Sequence, residues 1–370
     1  MRYIEIELPG TYVKLSLFDR NRKEAHAILM CEPTHDVKSQ FINLLNAVKS
    51  LSLSLGMDPV FKRYFLSDAA NQSHLLPESD SCACSIVQQP PLNGAKAACL
   101  AIFQEKSSFS EIGMGIWKDN SGRIWQGDNH VVDNGDAETM TRQYFDCLKK
   151  ILAASGGSIK DHCLRTWFFV RDIDNNYSGV VSGRNRFFAS ENLTDKTNFI
   201  ASTGIEGQSA YPKQLVLFNA FADTSIKKDQ VKYLQGKTHM NPTYEYGVAF
   251  ERGTSVDYGD RRHVYVSGTA SIGNKGEVIS PFNIVAQSER MLENISVLLS
   301  EADCTWDDVA HMIVYLRDIA DHNVVAKIMN ERLPNIPKVV VLAPICRPSW
   351  LIETECFAIK EIHDCRYNKY

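Results

Sequence analysis

Two glutamates stand two positions apart near the end of this 370-residue chain, in the run LIETECFAI (351–359). Strand side chains alternate between faces, so Leu351, Glu353, Glu355 and Phe357 would share one face. Two acids on an otherwise apolar face are costly if idle. Desolvation and mutual repulsion would raise at least one pKa, which suits a general acid near neutral pH. The alternative is an edge strand whose glutamates are solvated. Gly268 and Ala270, in SGTAS (267–271), are small enough to let backbone approach a ligand. Tyr246 and Tyr177 offer hydroxyls, or belong to the core. The 10 cysteines include no CxxC and have no His pair at zinc spacing. They read as buried small hydrophobes, and no metal or organic cofactor is expected.

The elements that would carry these residues occur three times. Helical spacing of apolar residues marks 41–56, 141–157 and 286–303. A β-rich run ending in aspartate follows each, at Asp68, Asp172 and Asp318. Then come a second helix candidate, a turn and a terminal apolar strand: 88–103, 202–221 and 343–359. The matching faces of the first two terminal strands carry Ala98 and Leu100, and Leu217 and Asn219. Only the third carries carboxylates. The expected fold is α+β, three tandem units, each a mixed sheet with two helices on one face. The units are placed at 1–108, 109–225 and 226–370, with a linker and an added hairpin or loop around 225–262.

Composition narrows the function. Hydrophobic residues make up 44% and charged residues 23%, which excludes disorder as the main state. With 40 Lys+Arg against 44 Asp+Glu, the net charge of −4 offers no footprint for nucleic acid or an anionic membrane. No apolar stretch approaches the ~20 residues of a membrane helix. MRYIEIELPG has no signal-peptide core, so a cytoplasmic chain is expected. GIEGQS (204–209) lacks the lysine of a phosphate loop.

YVSGTASIG (265–273), the helix 286–300, VYLRD (314–318) and LIETE (351–355) resemble the YjgF/Rid family, long labelled endoribonuclease L-PSP. SGTAS, RTWFFVRDI (165–173), ASTGI (201–205), CRPSWLIE (346–353) and QPPLNG (89–94) are similar to its chorismatase branch. That resemblance spans about 85–370; residues 1–80 match in pattern only. It implies chorismate-mutase-like units closing into a pseudo-trimer within one chain, a monomer, with ligand pockets at the interfaces. It implies cleavage of the enolpyruvyl ether of chorismate, or of a close analogue, to pyruvate and a cyclohexadiene or hydroxybenzoate product. The general acid would be Glu353, seven residues after Cys346. Arg165, Arg252 and Arg347 are the candidates for holding a dianionic substrate. Cys346 with a small residue of SGTAS would select the product and leans toward 3-hydroxybenzoate. Two departures are visible. Lys338 stands where Rid imine deaminases hold the substrate carboxylate with arginine, and a lysine loses the bidentate fork. VSGR (181–184) replaces a segment that begins FN in the chorismatases. A Rid-type enamine or imine deaminase, or a non-catalytic binding protein, are the other readings.

Overall fold

Three helices open where an Asx side chain caps their first turn. Asp36 accepts from the Lys38 N–H, Asp136 from Thr139 and Asn283 from Ala286, so helices α1 (Val37–Leu55), α3 (Ala137–Ala154) and α6 (Ile284–Glu301) each begin a few residues before the apolar periodicity. Between the first two lies α2, only Ala69–Gln72. The computed structural model describes residues 1–77, 80–105, 108–113, 115–128 and 135–370.

The strands form three six-stranded sheets. The first runs β1 (Arg2–Leu8), β2 (Thr11–Phe18), β3 (Glu24–Cys31), β4 (Met57–Leu66), β5 (Ala83–Gln88) and β6 (Ala97–Glu105). The second runs β7 (Phe109–Gly113), β8 (Ile116–Asp119), β9 (Arg123–Gln126), β10 (Cys163–Val170), β11 (Ala201–Glu206) and β12 (Val216–Asp223). The third runs β13 (Val231–Leu234), β14 (Gly253–Asp257), β15 (Arg261–Ala270), β16 (Val309–Leu316), β17 (Lys338–Leu342) and β18 (Ile352–Glu361). All three share one strand order: the closing strand lies between the third and fourth, and the fifth lies outside the fourth. The fourth and fifth strands of each are parallel, and the other pairs are antiparallel. A parallel pair needs a crossover. Helices α5 (Ile173–Ser190) and α7 (His322–Arg332) supply it in the second and third sheets. In the first, the described residues of the short stretch after Asp68 hold only α2 and one 3-10 turn, so the expected second helix is reduced there to a single turn. A further short helix, α4 (Ile159–His162), precedes β10. The marker aspartates Asp68 and Asp318 are themselves caps, each accepting from a backbone N–H of the turn that follows.

One face of each sheet packs on its long helix, as Phe41 and Leu44 of α1, Phe145 and Leu148 of α3, and Met291 and Ile295 of α6 are buried there. The opposite faces meet one another around a common axis. Phe61 stacks on Trp125 at 5.0 Å, Phe221 lies 5.6 Å from Tyr265, and His26 stacks on Phe357 at 4.9 Å, so each pair joins two sheets. Single β-bridges close the ring at Gln88–Gln208, Ile205–Ile345 and Pro91–Val341. Among the described residues no helix is long and apolar enough to cross a membrane.

Candidate active site

The closing strand β18 puts Glu353 opposite Ala270 and Thr354 opposite Thr269, but the ladder then slips. Ser267 and Gly268 together face Glu355, a bulge that re-aims the strand next to the two acids. The acids consequently have different surroundings.

Glu355 points to the axis. Arg165 Nη2 donates to it at 2.7 Å, Trp167 Nε1 at 2.9 Å and Thr203 Oγ1 at 2.5 Å, while Arg63 Nη1 lies at 3.5 Å. The guanidinium of Arg63 also donates to Asn219 at 3.2 Å. The Glu355 carboxylate is thus held by cations and donors from both other units.

Glu353 has none of these partners. No described residue donates a hydrogen bond to its carboxyl or forms an ion pair with it, and the residue is only 5% exposed. Burial first, and the charge of Glu355 second, push its carboxyl up to about 8, against weaker pulls from Arg165 and Arg252. At neutral pH it is a protonated acid in a low-dielectric cleft. Gly268 makes the position possible: a Cβ there would stand 2.1 Å from Glu353 Oε1.

The cleft lies between the second and third units and opens to solvent, with about 520 Å³ of space including its mouth. The third unit contributes Glu353, Gly268, Ala270, Tyr246, Arg252, Cys346 and Arg347, and the second contributes Tyr177, Arg184, Ser202 and Gly204. Seven of the eight residues selected from sequence therefore share one cavity. Arg165 is the exception. Its guanidinium is bound to Glu355 and, at 2.5 Å, to Thr203 Oγ1, so it stands behind the cleft and does not line it. Thr203 also accepts the Gly268 N–H at 2.9 Å, which ties the Glu355 cluster to the strand beneath Glu353.

Three guanidinium groups line the cleft, and none has a carboxylate within ion-pair distance among the described residues. Arg347 packs 4.8 Å from the rings of both Tyr246 and Trp350. Arg252 lies 5.4 Å from Tyr246 and from Phe250, with one Nη2 bond to Asn241 O at 3.0 Å. Arg184 lies 5.7 Å from Phe250, and its Nε and Nη2 have no partner although the residue is 1% exposed. Aromatic stacking sets the guanidinium planes while leaving their N–H edges free. The loop between β13 and β14 brings in Tyr246, Phe250 and Arg252. It is fixed by Thr243 Oγ1 on Phe250 O at 2.6 Å and by Asn185 of α5 on Gly247 O at 2.9 Å. Cys346 is partly buried, and its desolvation pushes the thiol up to about 12; it is a neutral wall of the cleft.

Sequence reasoning missed Arg184 as a site residue. A usable signal was present: Tyr177 and Arg184 are seven apart, two turns on one helix face. Gly183 beside it lets α5 close on α3, since a Cβ there would lie 2.7 Å from Glu138 O.

This architecture has counterparts. Residues 254–360 match the family model described as Endoribonuclease L-PSP. A RutC family protein of Pyrococcus abyssi is 30% identical over 100 residues, covering 26% of this chain and 79% of that one. The chain belongs to the YjgF/RutC family. Another member, the 3-aminoacrylate deaminase RutC of Acinetobacter baylyi, is 30% identical over 92 residues, covering 24% of this chain and 73% of the other. Each of these relatives corresponds in length to a fraction of the chain. A crystal structure of a chorismatase instead superposes on 81% of this chain and 92% of its own, with a TM-score of 0.67 at 16% identity. Three YjgF units in one polypeptide are thus a fold shared with that enzyme.

Proposed function

We propose that this YjgF/RutC family protein is an enzyme that cleaves the enolpyruvyl ether of chorismate or a close analogue, with Glu353 as general acid. The observation that carries the reading is a neutral carboxyl facing three arginines that have no carboxylate partner among the described residues. An anionic substrate would supply the missing negative charge, and its binding would hold Glu353 protonated.

The enol ether needs one proton at its methylene carbon. Glu353 delivers it; the resulting cation is stabilised by the ether oxygen. Water adds to that carbon and the hemiketal collapses, breaking the bond between the former enol carbon and the ether oxygen. The proton lost by water returns to Glu353, and the products are pyruvate and the ring alcohol. Loss of water from that diene diol gives a hydroxybenzoate. Cys346, Gly268 and Ala270 form the wall against which the ring would lie, and their size would bear on which product leaves. Ser202 and Tyr246 would serve as substrate-binding groups at the edge of the cleft.

The test is direct. Purified protein is mixed with chorismate, and pyruvate is followed by coupled reduction to lactate. Turnover that scales with protein and vanishes in the Glu353→Gln variant supports the reading. Absence of pyruvate across buffers from pH 5 to 9 overturns it.

A second reading has one specific support, the likeness to the deaminase RutC. The same acid would protonate the β-carbon of an enamine, and water would then release ammonia. Ammonia release from an enamine generated in the cuvette, with no pyruvate from chorismate, would favour it.

A further inference from the structure

A second polar hollow shares no lining residue with the cleft. Three segments meet there: the turn between β8 and β9, the connection from β12 into β13, and the stretch after β18, which folds back beside the β14–β15 turn. Backbone bonds join them. Thr224 N donates to Gly122 O at 2.9 Å, and Gly259 N donates to Asn368 O at 2.7 Å. The hollow opens to solvent, with about 470 Å³ of space including its mouth.

Arg123 lines this hollow and is only 2% exposed. Asp119 pairs with its Nε at 2.8 Å, Ser121 Oγ accepts from its Nη2 at 3.1 Å, and its guanidinium carbon lies 3.9 Å from the Tyr370 ring centroid. These contacts fix the guanidinium plane. Its Nη1 is left without a partner among the described residues. A buried N–H with no acceptor is an exception in folded proteins, and an occupant of the hollow would remove it.

The carboxylates nearby already have their donors. Besides Arg123, Asp119 accepts from the Ser121 and Arg123 N–H groups, each at 2.9 Å. Asp223 accepts from Ser225 N at 2.9 Å, Ser225 Oγ at 2.6 Å and the Tyr258 hydroxyl at 3.0 Å. Asp364 pairs with Arg366 at 2.6 Å, and Asp229 takes the Tyr367 hydroxyl at 3.2 Å. Lys227 and Lys369, both exposed, have no carboxylate within ion-pair distance among the described residues. The unmatched groups are therefore all donors: Arg123 Nη1, the Ser121 hydroxyl and two ammonium groups.

We propose that this hollow binds a phosphoryl group, as free phosphate or as a small phosphate ester, with one oxygen on Arg123 Nη1 and the others on Ser121 Oγ, Lys227 and Lys369. Donors arriving from separate segments surround a tetrahedral group, which accepts on every side, more fully than a flat carboxylate. A phosphoryl group also carries more than one negative charge near neutral pH, which a guanidinium and two ammonium groups can share. The site does not depend on the chemistry proposed for the cleft.

The probes are inorganic phosphate and glycerol phosphate, titrated calorimetrically into the wild-type protein at pH 7.5 and constant sodium chloride. Binding of either supports the site, and the tighter of the two tells which source it takes. Lys227→Met/Lys369→Met changes only exposed residues and should weaken that binding about tenfold or more. Arg123→Lys, which keeps the charge and loses the fork, should weaken it as well. Arg184→Met, in the cleft, should bind both probes as wild type does. No heat from either probe at about 10 mM, ten times a dissociation constant of 1 mM, overturns the proposal. Unchanged affinity in the double lysine variant also overturns it, as does binding that is lost in Arg184→Met instead.

Discussion

Replacing Glu353 by glutamine should slow the proposed cleavage and stabilise the fold at once, with a pH signature that no misfolded variant reproduces. The native carboxyl titrates at about 8, whereas an ordinary glutamate titrates near 4.5. Between those two pH values the folded protein holds a proton that the unfolded chain has released. Stability from this group is therefore complete below about 4.5, falls as pH rises toward 8, and is level above. At 1.36 kcal/mol per pH unit, the cost at pH 7 is on the order of 3 kcal/mol. Glutamine is nearly isosteric and does not titrate. The stability of Glu353→Gln minus that of wild type should rise steadily from pH 5 to pH 8, a slope that chemical denaturation at three pH values can read. The rate should move the other way. Loss of a general acid costs about 10²–10⁴-fold in kcat/KM, or roughly 3–5 kcal/mol of barrier. In wild type, kcat/KM should fall as pH rises through about 8. A variant within tenfold of wild-type activity, or a stability difference flat from pH 5 to 8, would refute the assignment.

Three further outcomes are expected. Gly268→Ala must displace the Glu353 carboxyl from a Cβ at 2.1 Å; circular dichroism should be unchanged while turnover drops about 10²-fold. Arg165→Met leaves Glu355 buried without its nearest cation and should cost about 3–5 kcal/mol in urea denaturation, with Arg165→Met/Glu355→Gln recovering part of the loss. Arg184→Met removes a buried cation that has no anionic partner among the described residues, so stability should hold or rise; KM should increase about 10–100-fold, the value of one charge-assisted bond to the substrate.

What could be read from sequence was what depends on a single strand or helix. Alternation in LIETECFAI placed Glu353 and Glu355 on one face, and the same alternation correctly paired their positions with Leu217/Asn219 and Ala98/Leu100. Helical periodicity located α1, α3 and α6. What could not be read was which acid each arginine would meet. Arg165 and Trp167 share a face of β10 in either arrangement; only the docking of the second sheet against the third sends Arg165 to Glu355 and leaves Arg184 to line the cleft. Arg63 was invisible for a related reason. It comes from the first unit, whose sequence follows the repeat in pattern alone, and its role exists only when all three sheets meet. The distinction between a paired Glu355 and an unpaired Glu353 likewise lies beside a bulge that no periodicity marks.

The axis of the molecule has a consequence for what covalent fusion permits. Leu100, Asn219 and Glu355 occupy one position in the three sheets. In a ring of identical subunits every residue on the axis appears in triplicate, so a glutamate there would confront two copies of itself and an arginine two copies of its own charge. Fusion makes each copy independently mutable. Here an acid, an amide and an aliphatic side chain meet where symmetry would enforce three of a kind, and Arg63 of one unit can bridge Asn219 and Glu355 of the other two. A polar bolt through the centre, built from unlike parts, is closed to a ring of identical subunits and open to a chain that carries all three units itself.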